Sequence, residues 1–135
     1  MSFMDRIVRP AALLRKRAAA SGQAAEDVAA GFLAHRGLKV VERNFRVRGG
    51  EIDLICTDGR TLVFVEVRLR GSDKFGGAAA SITPRKQQRI VLAARHWLSR
   101  HGNAFVDRDC RFDCVVMDAP DEARIEWIEN AFLAD

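Results

Sequence analysis

Hydrophobic positions along the chain switch between helical and strand spacing. From Ser21 to Arg36, Ala25, Val28, Ala29, Phe32 and Leu33 recur on one helical face, with Ser21 as the expected N-cap and Gly37 as the stop. On that wheel Glu26 falls beside the apolar stripe and is expected to be half buried, whereas Asp27 points to solvent. Leu38 to Val47 reads as a strand that becomes arginine-rich, Gly49-Gly50 as a turn, and Glu51 to Thr57 as a second strand. After a turn at Asp58-Gly59, Leu62 to Val67 is rich enough in Val and Phe for a central strand buried on both faces. Gly71, Gly76 and Gly77 mark residues 71 to 80 as a mobile surface loop. Thr83 and Pro84 open a second helix, whose stripe of Ile90, Ala94, Trp97 and Leu98 also receives Gln87 and ends at Gly102. Arg111 to Met117 and Arg124 to Ile128 are the remaining strands. Helix, three-strand meander, helix and strand make an α/β fold around a mixed central sheet.

Composition narrows the class. The 135 residues are 48% hydrophobic and 30% charged, which suits one soluble domain, assigned to residues 21–135, and argues against both disorder and membrane spanning. Residues 1–20, with Arg6, Arg9, Arg15, Lys16 and Arg17, read as a basic N-terminal arm, mobile or ordered, without a signal-peptide core. The net charge of +4 hides an asymmetry: residues 1–100 hold 19 basic and 9 acidic side chains, residues 101–135 hold 3 and 9. A polyanionic partner on the basic body and a merely solvated charged surface are both compatible with that split. The 3 cysteines have no paired metal-ligand spacing and fit a reducing cytoplasm. His96 and His101 diverge by about 140° on a helix, which spoils a two-histidine site.

Two acids interrupt strands that are otherwise apolar: Asp53 in Glu51-Ile52-Asp53-Leu54-Ile55 and Glu66 in Phe64-Val65-Glu66-Val67-Arg68. If Thr57 pairs with Leu62, residue numbers of facing pairs sum to 119, and Asp53 lies opposite Glu66 at roughly 5 Å between Cβ atoms. A tighter register leaves them diagonal on one face. Like charges so placed call for a proton or a divalent cation with oxygen ligands, Mg²⁺ or Mn²⁺. Arg68, on the same strand face, offers the alternative of a structural ion pair. Glu26 from the first helix and Gln87 from the second add further polar groups to that face.

Asp53 followed by Glu66-Val67-Arg68 after a hairpin resembles the Asp … (Asp/Glu)-x-Lys signature of the restriction-endonuclease-like, or PD-(D/E)XK, superfamily. More narrowly, Gly49-Gly50-Glu51-Ile52-Asp53-Leu54-Ile55, Val63-Phe64-Val65-Glu66-Val67-Arg68, Gly76-Gly77-Ala78-Ala79-Ala80-Ser81 and Arg111-Phe112-Asp113 resemble the YraN-like bacterial family, grouped with Holliday-junction-resolvase-like nucleases. The resemblance implies a restriction-endonuclease-like core and metal-dependent hydrolysis of DNA, with branched or junction DNA as substrate and RNA left open. It implies Asp53, Glu66, Glu26 and the Val67 carbonyl as metal ligands, and Arg68 and Gln87 as further catalytic groups. Arg68 stands where the motif has lysine; it stays protonated and can orient or stabilise but not act as a base. Arg46, Arg48, Arg70, Lys74, Arg85, Lys86 and Arg89 are the expected nucleic-acid contacts, the last three near a helix N-terminus. A homodimer is the associated expectation for junction cutting. Three functions stay open on the residues: a nuclease, a nucleic-acid-binding module without turnover, and a protein-interaction subunit whose acids and Arg68 form an ion-pair cluster.

Overall fold

The computed structural model describes residues 10–70, 82–105, 107–121 and 124–134, with side chains from residue 22 onward except residue 102. The first helix, α1, spans Pro10–His35. It begins well before the expected cap, so Ser21 lies inside it and the boundary expected at residue 20 falls within a helix. Serine caps a helix only where the chain leaves helical geometry, and the alanines on both sides of Ser21 favour continuation. Gly37, at φ 92°, does end it. Its N–H bonds the Ala34 carbonyl and that of Leu38 bonds Leu33, each at 3.1 Å, a Schellman closure with Leu38 buried behind it.

Strands β1 (Lys39–Val47), β2 (Gly50–Asp58) and β3 (Thr61–Leu69) form the meander. The turns are tighter than expected, because Val47 pairs with Gly50 and Asp58 with Thr61, leaving Arg48-Gly49 and Gly59-Arg60 as two-residue loops. Gly49 and Gly59 both take the positive φ that such hairpins require. Facing pairs of β2 and β3 keep the predicted sum, from Asp58↔Thr61 to Leu54↔Val65.

Helix α2 (Pro84–Phe105) then crosses to β4 (Cys110–Met117), which lies parallel to β3, and β5 (Ile125–Phe132) closes an antiparallel edge. The sheet order is β1-β2-β3-β4-β5. Helix α2 continues through Gly102, since Phe105 in its last turn packs 5.0 Å from the Trp97 ring and offsets the weak helical preference of glycine. The loop expected at residues 71–80, Lys74 included, lies outside the described residues.

One core lies under α2, with Ile55, Leu62, Phe64, Ile90, Trp97 and Phe112, and the other under α1, with Leu33, Leu54, Cys56, Val63, Val65 and Val115. Strand β3 feeds both, as its composition predicts. Strand β2 does so with a break: Ile52 belongs to the α2 core, yet Leu54, two residues on, belongs to the α1 core. Their partners follow, since Phe45 opposite Ile52 lies in the α2 core while Arg43 opposite Leu54 bonds Asp27 of α1. Between these pairs stand Asp53 and Asn44, and Asn44 has φ 54°, a left-handed conformation asparagine tolerates. The β1–β2 ribbon therefore rolls over at Asn44 and Asp53, which brings Asp53 to the boundary between the two layers.

Gly50 fixes how closely α2 approaches β2. A Cβ there would overlap the Arg89 carbonyl oxygen and press to 3.1 Å on the Ala93 nitrogen, so backbone meets backbone. Gly50→Ala should cost about 1–3 kcal/mol of stability through overpacking, read as a lower urea midpoint at unchanged slope. A midpoint equal to that of the wild type would show that α2 is not held this close.

Candidate metal centre

Glu66, near the C-terminal end of β3, is 5% exposed and its Oε2 is buried without a hydrogen-bond partner. Such an oxygen is costly unless something else satisfies it. Its neighbour is Asp53. The β2–β3 ladder ends at Leu54↔Val65, one step short of Asp53 and Glu66, and the Asp53 Oδ2 instead accepts the Val67 N–H at 2.8 Å. The two acids thus meet as expected, although the even alternation from which that was inferred is interrupted at Asp53.

From α1, Glu26 reaches Asp53 and is held also by the Asn44 side chain. Glu26 is half-buried and Asp27 exposed, as the helical wheel predicts. Asp53 lies within hydrogen-bonding reach of both Glu26 and Glu66. Burial, and next the charge of Asp53, pushes the Glu66 carboxyl up to about 8. Burial is also the main cause of the upward shifts of Glu26 and Asp53. Arg68 is half-buried and its charge opposes the shift of Glu66, but less than that of Lys86 does.

Helix α2 presents a different residue to the carboxylates from the one expected. The Gln87 amide nitrogen bonds the Ile82 carbonyl at 3.0 Å, at the start of the helix. Lys86 reaches in instead, with Nζ 3.6 Å from Glu66 Oε1 and 2.8 Å from Glu51 Oε1. Arg89 bonds the other Glu51 oxygen at 3.1 Å. Glu51 and the inward reach of Lys86 were not foreseen as parts of the carboxylate site. The signal available was that Glu51, Lys86 and Arg89 are complementary charges on elements predicted to be neighbours.

The remaining basic residues divide. Arg46, Arg48 and Arg85 are exposed, whereas Arg70 bonds Asp118 at 2.9 Å and approaches Glu126 at 3.7 Å. Asp113, the other buried acid, is fully engaged: it accepts from Arg111 Nε, Trp127 Nε1 and the Asn130 N–H, all within 3.1 Å. It is a structural ion pair, and Glu66 differs from it in keeping an oxygen that no N–H or hydroxyl reaches.

Among the described residues no group of three or more His, Cys, Asp and Glu side chains is placed to hold a metal ion, so Glu26, Asp53 and Glu66 do not form a three-carboxylate site. A hard cation such as Mg²⁺ does not need one, since it is commonly held by one or two carboxylates with water and substrate oxygens completing its shell. Asp53 and Glu66, with an oxygen to spare, fit that requirement. Burial pushes the Cys56 and Cys114 thiols up to about 12, so neither offers a thiolate for a softer metal.

The model of an uncharacterised protein family, UPF0102, matches residues 25–117, covering α1 from Ala25 through β4. The chain belongs to the UPF0102 family. This is the YraN-like family that the motifs resemble. A UPF0102 protein of Dechloromonas aromatica is 60% identical over 116 residues, 86% of this chain and 91% of that one. Another, of Nitrosomonas europaea, is 53% identical over 111 residues, 82% and 92% of the two chains. A third, of a Janthinobacterium species, is 47% identical over 129 residues, 94% of this chain and 100% of its own. The UPF0102 core around β2, β3 and α2 is the restriction-endonuclease-like arrangement, and among the described residues no helix is long and apolar enough to cross a membrane.

The carboxylates set a pH dependence. Folded Glu66 holds its proton to about pH 8, whereas the unfolded chain releases it near 4.5. The native state then binds more protons than the unfolded one, so this stabilisation is complete below about pH 4.5 and is lost as pH rises through about 8. In EDTA, the Tm should fall between these limits and Glu66→Gln should flatten the fall. A Tm that rises across the window in EDTA, with the same slope in the variant, would contradict the buried carboxylate pair.

Proposed function

We propose that this protein is a divalent-metal-dependent endonuclease that binds nucleic acid and hydrolyses phosphodiester bonds, with branched or junction DNA as its substrate class. The observation that carries this reading is the buried Glu66 carboxyl beside Asp53, its Oε2 met by no N–H or hydroxyl donor. A purely structural cluster would satisfy that oxygen, as Arg111, Trp127 and Asn130 satisfy Asp113. The family motifs supply the substrate class, and the exposed Arg46, Arg48 and Arg85 supply positive charge for a phosphate backbone.

In this reading Asp53, Glu66 and the Val67 carbonyl would hold the cation. When bound, Mg²⁺ or Mn²⁺ supplies Lewis-acid stabilisation of the phosphoryl group and makes water a stronger nucleophile. The Val67 N–H keeps one Asp53 oxygen in place through its 2.8 Å hydrogen bond, and Glu26 supports Asp53 from α1. Arg68 remains protonated and orients or neutralises phosphate oxygens with its forked donors.

The arginine also favours a second reading, a nucleic-acid-binding module without turnover, and cleavage separates the two. Mn²⁺ should raise the Tm of the wild type by several degrees and leave Glu66→Ala unmoved, as expected for a ligand that binds only the folded form. With Mg²⁺ or Mn²⁺, nicking of four-way and flapped DNA should disappear in Asp53→Ala and Glu66→Ala. Binding without nicking by the wild type supports the second reading; nicking that survives in both variants points to another site.

A further inference from the structure

The motif position after Glu66-Val67 lacks a lysine, but a lysine reaches the same carboxylate from helix α2. Lys86 lies in the first turn of α2, where its backbone N–H is capped by Thr83 Oγ1 at 3.1 Å. Its side chain is 24% exposed and crosses to the sheet, with the ammonium 2.8 Å from Glu51 and 3.6 Å from Glu66. A lysine left to itself samples many rotamers. Here Glu51 selects one, and Arg89 at 3.1 Å fixes Glu51 in turn. The close approach at Gly50, next to Glu51, fixes the distance the side chain has to span.

Burial lowers the affinity of the Lys86 ammonium for its proton, but the hydrogen bond it donates to Glu51 and the charges of Glu66, Glu51 and Asp53 outweigh it and leave the pKa raised. A lysine ammonium is a cation at working pH even at its ordinary pKa, and this one lies between two carboxylates. It faces Oε1 of Glu66, whose other oxygen is the one left for the proposed metal, so a phosphate drawn to that metal would lie within reach of a lysine on this helix turn.

We propose that Lys86 is a catalytic residue, its ammonium binding a non-bridging oxygen of the scissile phosphate beside Glu66, and that Glu51 is the positioning residue that holds it there. This rests on the nuclease reading above. In the step it serves, water oxygen bonds to phosphorus and the bond from phosphorus to the leaving oxygen breaks. The water gives up a proton to solvent and the leaving oxygen takes one from solvent. Lys86 remains protonated throughout and stabilises the negative charge that builds on the phosphoryl oxygens.

The full chain carries the test, with Mn²⁺ alone as one probe and nicking of four-way DNA as the other. Lys86→Met should lower kcat by at least about a hundredfold with KM for DNA moved less than about threefold, as for an interaction made in the transition state. Lys86→Arg should recover part of the loss, and Glu51→Gln should lower kcat by about tenfold. By calorimetry, Lys86→Met should bind Mn²⁺ about tenfold more tightly, because a cation near the site no longer repels the metal. Arg60→Met, in the turn at the other end of β2 and β3, should bind Mn²⁺ as the wild type does and so controls for net charge. A Lys86→Met protein that nicks at the wild-type rate, or binds Mn²⁺ with wild-type affinity, overturns the role of Lys86 and leaves the nuclease reading standing. A wild type that neither binds Mn²⁺ nor nicks overturns both.

Discussion

Two carboxylates cannot both carry charge cheaply at hydrogen-bonding distance inside a protein. At about 4 Å their repulsion is about 4 kcal/mol for an effective dielectric near 20, and partial burial withdraws the water that would screen it. Much of the local geometry around Asp53 and Glu66 follows from this constraint. The β2–β3 ladder stops one pair short of them, Asp53 spends one oxygen on the Val67 N–H, and the ribbon rolls at Asn44 so that α1 and α2 can both send polar groups to the same place. The sheet keeps regular pairing everywhere around Glu66 on its β4 side, where Glu66 is paired with Cys114. The irregularity is confined to the side where the other acid stands.

Asp113, paired with Val65 one register step from Glu66, shows what the same residue type does when the fold resolves its charge internally. Asp113 sits in the β4–β5 irregularity, where the register shifts between Phe112 and Cys114 and Asn130 takes φ 53°. Arg111 gathers Asp58 and Glu129 as well, tying the β2–β3 turn to β4 and β5. A fully satisfied buried network of this kind rigidifies its surroundings. The oxygen without a donor is instead that of Glu66, between the start of α2 and the end of β3.

Most of the frame was legible because period-two and period-3.6 patterns are imposed by burial itself. The sum of 119 between β2 and β3 followed from a hairpin loop, and the half-buried Glu26 from its angle on a helix. What escaped depends on features without a hydropathy signature. The roll at Asn44 needs one residue with positive φ, which composition permits but does not announce. The start of α1 at Pro10 was hidden because Ser21 suits both a cap and a helix interior. Gln87 and Lys86 are adjacent on α2, and a wheel assigns each a direction but not a reach. The long lysine stem bends toward Glu51 and Glu66, while the shorter amide satisfies the carbonyl of Ile82.

Gly50 contributes no atom to the carboxylates, yet it acts as the spacer of the site. Its bare Cα lets the Arg89 and Ala93 backbone rest on β2, and that contact sets the height of α2 above the sheet. Asp53 and Glu66 belong to the sheet, while Lys86 and Arg89 belong to the helix. The register between anionic and cationic halves is thus a layer separation, adjustable by one methyl group without altering a single charged residue.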